Sequence, residues 1–161
     1  SQLQHDPSPV NVLRNLNATI YEVSGDKMFV TFAYLLFDRS KRTVTLATAG
    51  HPPLFRARKG SARVELLRTA SLGLGMRPEA SFSSITLAWD PGDRFFCYTD
   101  GLIEAANAGG EQFGLERLQA AFLGCAGTPA EVCVRLTAEV KAFTGANDFS
   151  DDLTVVCIEL T

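Results

Sequence analysis

Residues 82–101 read FSSITLAWDPGDRFFCYTDG. Two runs rich in β-branched and aromatic residues, FSSITLAW and RFFCY, flank the break Asp90-Pro91-Gly92-Asp93. Proline presets φ and glycine tolerates positive φ, so the break is a turn, and its flanks are expected to pair as strands. The second run stops at Tyr98-Thr99-Asp100-Gly101. That places a carboxylate on the end of a strand, followed by a residue that lets the backbone turn sharply.

Upstream, MFVTFAYLLFD and RTVTLATA flank the polar turn DRSK, and LFRAR and RVELL flank Lys59-Gly60-Ser61-Ala62. Each pair reads as a β-hairpin. Before them, Ser8-Pro9 looks like an N-cap with proline at the first helical position, and Val12, Leu13, Leu16 and Ile20 recur on one face. A helix from about Pro9 to Tyr21 is predicted.

Downstream the period changes. FGLERLQAAFLG reads as a short helix, and Thr128-Pro129-Ala130-Glu131 is a capping box that opens a helix running to about Phe143, ended by Gly145. LTVVCIEL closes the pattern, and its continuous apolar character suits a central strand buried on both faces. The order is helix, many antiparallel strands, two helices, last strand. An α+β domain follows, an αββα sandwich in which two antiparallel sheets pack face to face under helices.

The bulk properties agree with one globular domain over 1–161. The chain is 46% hydrophobic and 20% charged, with 11 Phe, which argues against disorder. A net charge of -3 argues against a nucleic-acid partner, because that affinity needs clustered phosphate-neutralising cations. Arg56, Arg58, Lys59, Arg63 and Arg68 form one basic stretch. It reads first as a solvated hairpin and second as a docking patch for an acidic partner. Cys97, Cys125, Cys133 and Cys157 lack metal or redox spacing and read as core thiols of a reducing compartment. No apolar run approaches membrane-spanning length, and no signal peptide is visible, so a cytoplasmic location is expected.

The residues able to do chemistry are acidic. Asp100 sits at its strand end, and Asp148, Asp151 and Asp152 cluster before the last strand. Close carboxylates repel unless solvent or a cation relieves them, and a hard divalent cation is a natural partner. Alone, the Asp-Gly pair reads first as a plain strand-end turn, and the acidic cluster reads equally as a solvated loop or a cation site. Leu72-Gly73-Leu74-Gly75 lacks the third glycine and the strand-to-helix context of a dinucleotide loop.

FVTFAYLLFD, Ala49-Gly50-His51-Pro52-Pro53, Leu72-Gly73-Leu74-Gly75, Pro91-Gly92-Asp93, Tyr98 through Ala105, Phe113-Gly114 and Asp151-Asp152-Leu153-Thr154 occur in one order. In that order they resemble the bacterial metal-dependent protein serine/threonine phosphatases, in the branch of the sporulation phosphatase and the stress-response phosphatases of anti-sigma-factor partner switching. The resemblance covers nearly the whole chain from Pro9 onward.

It implies that Asp100 and Asp151 are metal ligands, with Gly101, Asp152, Glu104 and His51 in supporting roles beside them. It implies two Mn2+ or Mg2+ ions in the complete domain and a metal-activated water that attacks phosphoserine, with no side chain as nucleophile. The implied substrate is a phosphorylated anti-sigma-factor antagonist or similar regulatory protein, and a sensor or receiver domain would lie upstream. The family's N-terminal Gly-Asp-x-x-Gly-x-Gly element, which supplies the carboxylate bridging both metals, is absent from these residues. The chain is therefore read as the C-terminal portion of the domain, first as a fragment of a longer protein and second as a naturally shortened relative, holding one metal or none alone. Its unpaired strands imply self-association, with a homodimer as one form, or an incomplete core. The competing readings are a catalytically silent module that keeps the fold and binds a regulator, and an unrelated domain with a calcium-stabilised loop.

Overall fold

Proline at the first helical position and an apolar stripe set the first element of the computed structural model, which describes residues 8–25, 27–145 and 152–161. The helix α1 spans Pro9–Ser24, three residues beyond its predicted end. Ser8 occupies the N-cap position but makes no side-chain cap bond. Strands β1 (Phe32–Asp38), β2 (Thr43–Ala49), β3 (Leu54–Ala57), β4 (Val64–Leu67), β5 (Ile85–Ala88) and β6 (Arg94–Tyr98) follow. Helices α2 (Gly101–Glu104), α3 (Gly114–Gly124) and α4 (Pro129–Thr144) lead to the last strand, β7 (Val155–Glu159). The class is α+β, with two antiparallel sheets, β1-β2-β5 and β4-β3-β6-β7.

The chain divides into two compact units, Ser1–His51 with Arg68–Trp89, and Pro52–Leu67 with Asp90–Thr161. In the first, α1 packs on β1 and β2, and Leu13, Ala47, Ala49 and Leu74 form a buried cluster. Buried Asn17 was not anticipated as a core residue. Its amide donates to the carbonyls of Arg77 and Pro78, and its oxygen accepts from the Gly75 N–H, so a polar side chain holds the loop onto the helix. The predicted strand start at Met28 is too early. Met28–Thr31 are exposed, and only Val30 pairs, through an isolated bridge to Leu74. Gly50 has φ +60 and lies so close to Gly73 that a Cβ would come within 2.9 Å of the Gly73 backbone. The Ala-Gly-His and Leu-Gly-Leu-Gly motifs thus meet backbone to backbone, a packing role for Gly50 and Gly73.

In the second unit the rings of Phe55, Phe96, Tyr98 and Phe122 lie with centroids 5.2–6.1 Å apart. Together with Leu102, Leu118, Val132, Leu136 and Val140 they form the core under α3 and α4. The α4 caps are as predicted: the Thr128 hydroxyl accepts from the Glu131 N–H, Glu131 bonds back to the Thr128 N–H, and Gly145 closes the helix at φ 67 in the left-handed region.

Two strand assignments are corrected. The segments flanking Asp90-Pro91-Gly92-Asp93 are both strands but not partners, because β5 pairs with β2 whereas β6 pairs with β3 and β7. The Trp89 N–H donates to the Arg42 carbonyl, anchoring the end of β5 at the β1–β2 turn, and Asp93 ion-pairs with Arg56 of β3. The turn therefore connects two sheets. The strand β7 lies at the edge of its sheet, with Val156 45% exposed, rather than at the centre. Helix α4 supplies the cover for its apolar residues.

Candidate functional site

The order β4-β3-β6-β7 gives the second unit's sheet two ends of different chemistry. Antiparallel register puts the start of β6 (Arg94), the end of β7 (Glu159) and the end of β3 (Ala57) at one end. It puts Asp100, the entry to β7 and the Pro52-Pro53 entry to β3 at the other.

At the second end the ladder stops at Tyr98 opposite Val155. The Thr99 N–H still donates to the Thr154 carbonyl at 3.0 Å. The Thr154 N–H, however, donates to the Thr99 hydroxyl at 2.9 Å, and that hydroxyl donates to the Asp152 carbonyl at 3.2 Å. Asp100 then caps α2, its Oδ1 accepting from the Gly101 N–H at 3.1 Å, while the Asp100 carbonyl takes the N–H groups of Ile103 and Glu104. Asp100, Glu104 and Asp152 are exposed, whereas Gly101 and Leu102 are buried. The strand end is thus anchored by Leu102 and presents its carboxylate outward.

The sequence-derived residues fare as follows. Asp100 and Gly101 directly follow Thr99 in the chain, and the Asp152 carbonyl is bonded to the Thr99 hydroxyl. Glu104 supports the turn with its backbone N–H, and its side chain makes no hydrogen bond among the described residues. His51 is half-buried and closes the first unit, one peptide bond before Pro52. Asp148 and Asp151 lie outside the described residues. Among the described residues no group of three or more His, Cys, Asp or Glu side chains converges. A hard cation such as Mg2+ keeps several waters and takes one or two protein carboxylates. One exposed carboxylate on an anchored turn fits one ligand position of such an ion. Sequence reasoning gave Thr99 no role, because a threonine at a strand end signals only β propensity.

Burial holds all four cysteines toward the protonated thiol. All are free, and burial pushes the Cys97 thiol up to about 12 and the Cys157 thiol up to about 11, far from the thiolate form at neutral pH. A cleft of about 430 Å3 lies at the opposite end of the sheet, beside Arg58, Lys59, Gly92, Arg94, Gly127 and Glu159. Its arginines are already engaged. Arg94 bonds Glu159 and the carbonyls of Cys125 and Gly127, and Arg58 bonds Glu65. That end is built as structure.

The family model for stage II sporulation protein E (SpoIIE) matches residues 1–161. The chain belongs to the SpoIIE family. Its curated relatives include Protein IcfG of Synechocystis sp., 27% identical over 92% of this chain and 24% of that protein. The phosphoserine phosphatase RsbU of Bacillus subtilis is 28% identical over 63% of this chain and 30% of that protein. This SpoIIE-family chain thus spans under a third of the length of these relatives. Among solved structures, the SiaA-PP2C domain of Pseudomonas aeruginosa superposes with a TM-score of 0.86 at 21% identity, over 99% of this chain and 65% of that one. The Mn-presoaked phosphatase domain of SpoIIE from Bacillus subtilis gives 0.67 at 19% identity, over 93% and 62%. The SpoIIE-family chain therefore has a PP2C-like fold. No helix among its described residues is long and apolar enough to cross a membrane.

Proposed function

We propose that this chain is the C-terminal, metal-binding part of a phosphatase domain that hydrolyses phosphoserine on a regulatory protein, an anti-sigma-factor antagonist being the substrate type the family suggests. The observation that carries the reading is the outward Asp100 carboxylate, held on a turn bonded to the Asp152–Thr154 segment. An exposed carboxylate with one backbone bond does little for the fold, and its support is more elaborate than a solvent-facing turn needs.

Asp100 and Asp151 would hold Mn2+ or Mg2+, with ligands from outside these residues completing the set. A bound pair of such ions supplies a nucleophilic water at neutral pH and neutralises phosphoryl oxygens. The part of this chain is to hold the Asp100 oxygens in place without rearrangement. Leu102, buried behind the turn, and the α2 backbone bonds to the Asp100 carbonyl do this. The raised thiol pKa values of Cys97 and Cys157 argue against a covalent cysteine route.

The test uses the full-length protein and a phosphoserine protein substrate. Phosphate release should require Mn2+ or Mg2+ and fall by at least about 100-fold in Asp100→Asn, as when a group acting in the transition state is removed. An inactive full-length protein whose Asp100→Asn variant binds its partner unchanged would overturn the reading in favour of a silent binding module.

A further inference from the structure

We propose that Thr99 is a positioning residue for the metal-binding carboxylate of Asp100, its hydroxyl replacing a backbone acceptor at the junction of β6, β7 and α2. The inference rests on the reading of Asp100 as a metal ligand given above.

In an antiparallel ladder, directly opposed residues of a hydrogen-bonded pair exchange two N–H···O=C bonds. The β6–β7 register places Thr99 opposite Thr154, one step beyond the Tyr98–Val155 pair. Half of the expected exchange is present, from the Thr99 N–H to the Thr154 carbonyl. The other half is diverted. The Thr99 carbonyl accepts instead from the Leu102 N–H at 3.1 Å, which begins the helical turn that Asp100 caps. The Thr154 N–H finds the Thr99 hydroxyl in its place, and the same hydroxyl gives its proton to the Asp152 carbonyl.

One side chain therefore lets the strand end in two ways at once. The backbone is released into α2, so Asp100 turns outward, while the incoming chain at Asp152–Thr154 stays tied to the same residue. Without the hydroxyl the Thr154 N–H and the Asp152 carbonyl both lose a partner, and the two acidic segments are no longer held in one register. Residues that orient metal ligands in this way typically change metal affinity by about 10–100-fold when removed.

The experiment measures Mn2+ affinity of the full-length protein by calorimetry, well below its melting temperature, for Thr99→Val, Thr99→Ser and Asp100→Asn. Valine keeps the shape and removes the hydroxyl, and serine keeps the hydroxyl. Thr99→Val should weaken Mn2+ binding by about 10-fold or more and speed hydrogen exchange at the Thr154 amide, with Thr99→Ser restoring both to within about threefold of wild type. If Asp100→Asn weakens Mn2+ binding but Thr99→Val does not, the positioning role is refuted and the metal reading stands. If Asp100→Asn leaves Mn2+ binding intact, the metal reading itself is refuted. Equal weakening in Thr99→Val and Thr99→Ser would overturn the hydroxyl's role, because loss of packing would then explain both.

Discussion

The two ends of the β4-β3-β6-β7 sheet are built from the same strands yet treat charge in opposite ways. At one end Arg56 and Asp93 are almost wholly buried and paired at 2.6 Å, and Arg94 is bonded to Glu159 and to two loop carbonyls. These ions close onto other parts of the fold. At the other end Asp100 and Asp152 are exposed, and the bonds that organise the turn run through backbone groups, one hydroxyl and a single Asp100 carboxylate oxygen. The charges at the first end are enclosed by the fold, whereas the carboxylates at the second are carried on a bonded turn and left open. The contrast can be broken by experiment, starting with the enclosed end.

Asp93→Ala should be the most damaging change, because it leaves the Arg56 guanidinium buried without its principal partner and removes acceptors from the Asp90 and Lys59 N–H groups. Breaking one side of a buried pair costs about 3–5 kcal/mol, which a urea titration would read as a large drop in midpoint. The effect should depend on pH. Burial pushes the Asp93 carboxyl up, but the Arg56 guanidinium and the Asp90 and Lys59 N–H groups hold it below its ordinary value. A lowered folded pKa means that the stabilisation is complete above the ordinary carboxylate range, near pH ~4, and is lost as pH falls through the folded value. The gap between wild type and Asp93→Ala should therefore narrow on acidification below about pH 4. A constant gap would mean that packing, not the ion pair, carries the effect.

Arg94→Met should come next, at about 1–3 kcal/mol, because the side chain is partly exposed and a flexible apolar replacement keeps some of its packing. It should also loosen the α3–α4 loop, read as faster hydrogen exchange around Gly127, whose carbonyl Arg94 holds. If the loop amides stay protected, Glu159 is the only partner that matters.

How much of this contrast the sequence carried depends on how local each signal is. The α4 caps were legible because Thr128, Glu131 and Gly145 act within a turn of their own helix. Asp90-Pro91-Gly92-Asp93 was legible as a turn, but not that it joins two sheets, since strand pairing is settled by distant partners such as Arg42 and Arg56. Arg56 read as one of a solvated basic stretch, and only its burial 1% exposed against Asp93 separates it from its exposed neighbours Arg58 and Lys59. At the acidic end the sequence showed Asp100 at a strand end, where the structure has it, whereas the reading of Asp100 and Asp151 as metal ligands came only through the order of family motifs. The role of Thr99 depends on a register that no window of sequence contains.

The smallest expected change in stability is the most informative. Asp100→Asn keeps an oxygen that can accept from the Gly101 N–H, and asparagine is as good an N-cap as aspartate. The carboxylate is exposed, so no desolvated charge is lost. The unfolding free energy from a urea titration should therefore stay within about 0.5 kcal/mol of wild type, as for a surface substitution away from structural features, while Mn2+ affinity collapses. The opposite pairing, a loss as large as that of Arg94→Met with metal binding intact, would make Asp100 one more structural charge. The two ends of the sheet would then differ only in how deeply they are buried.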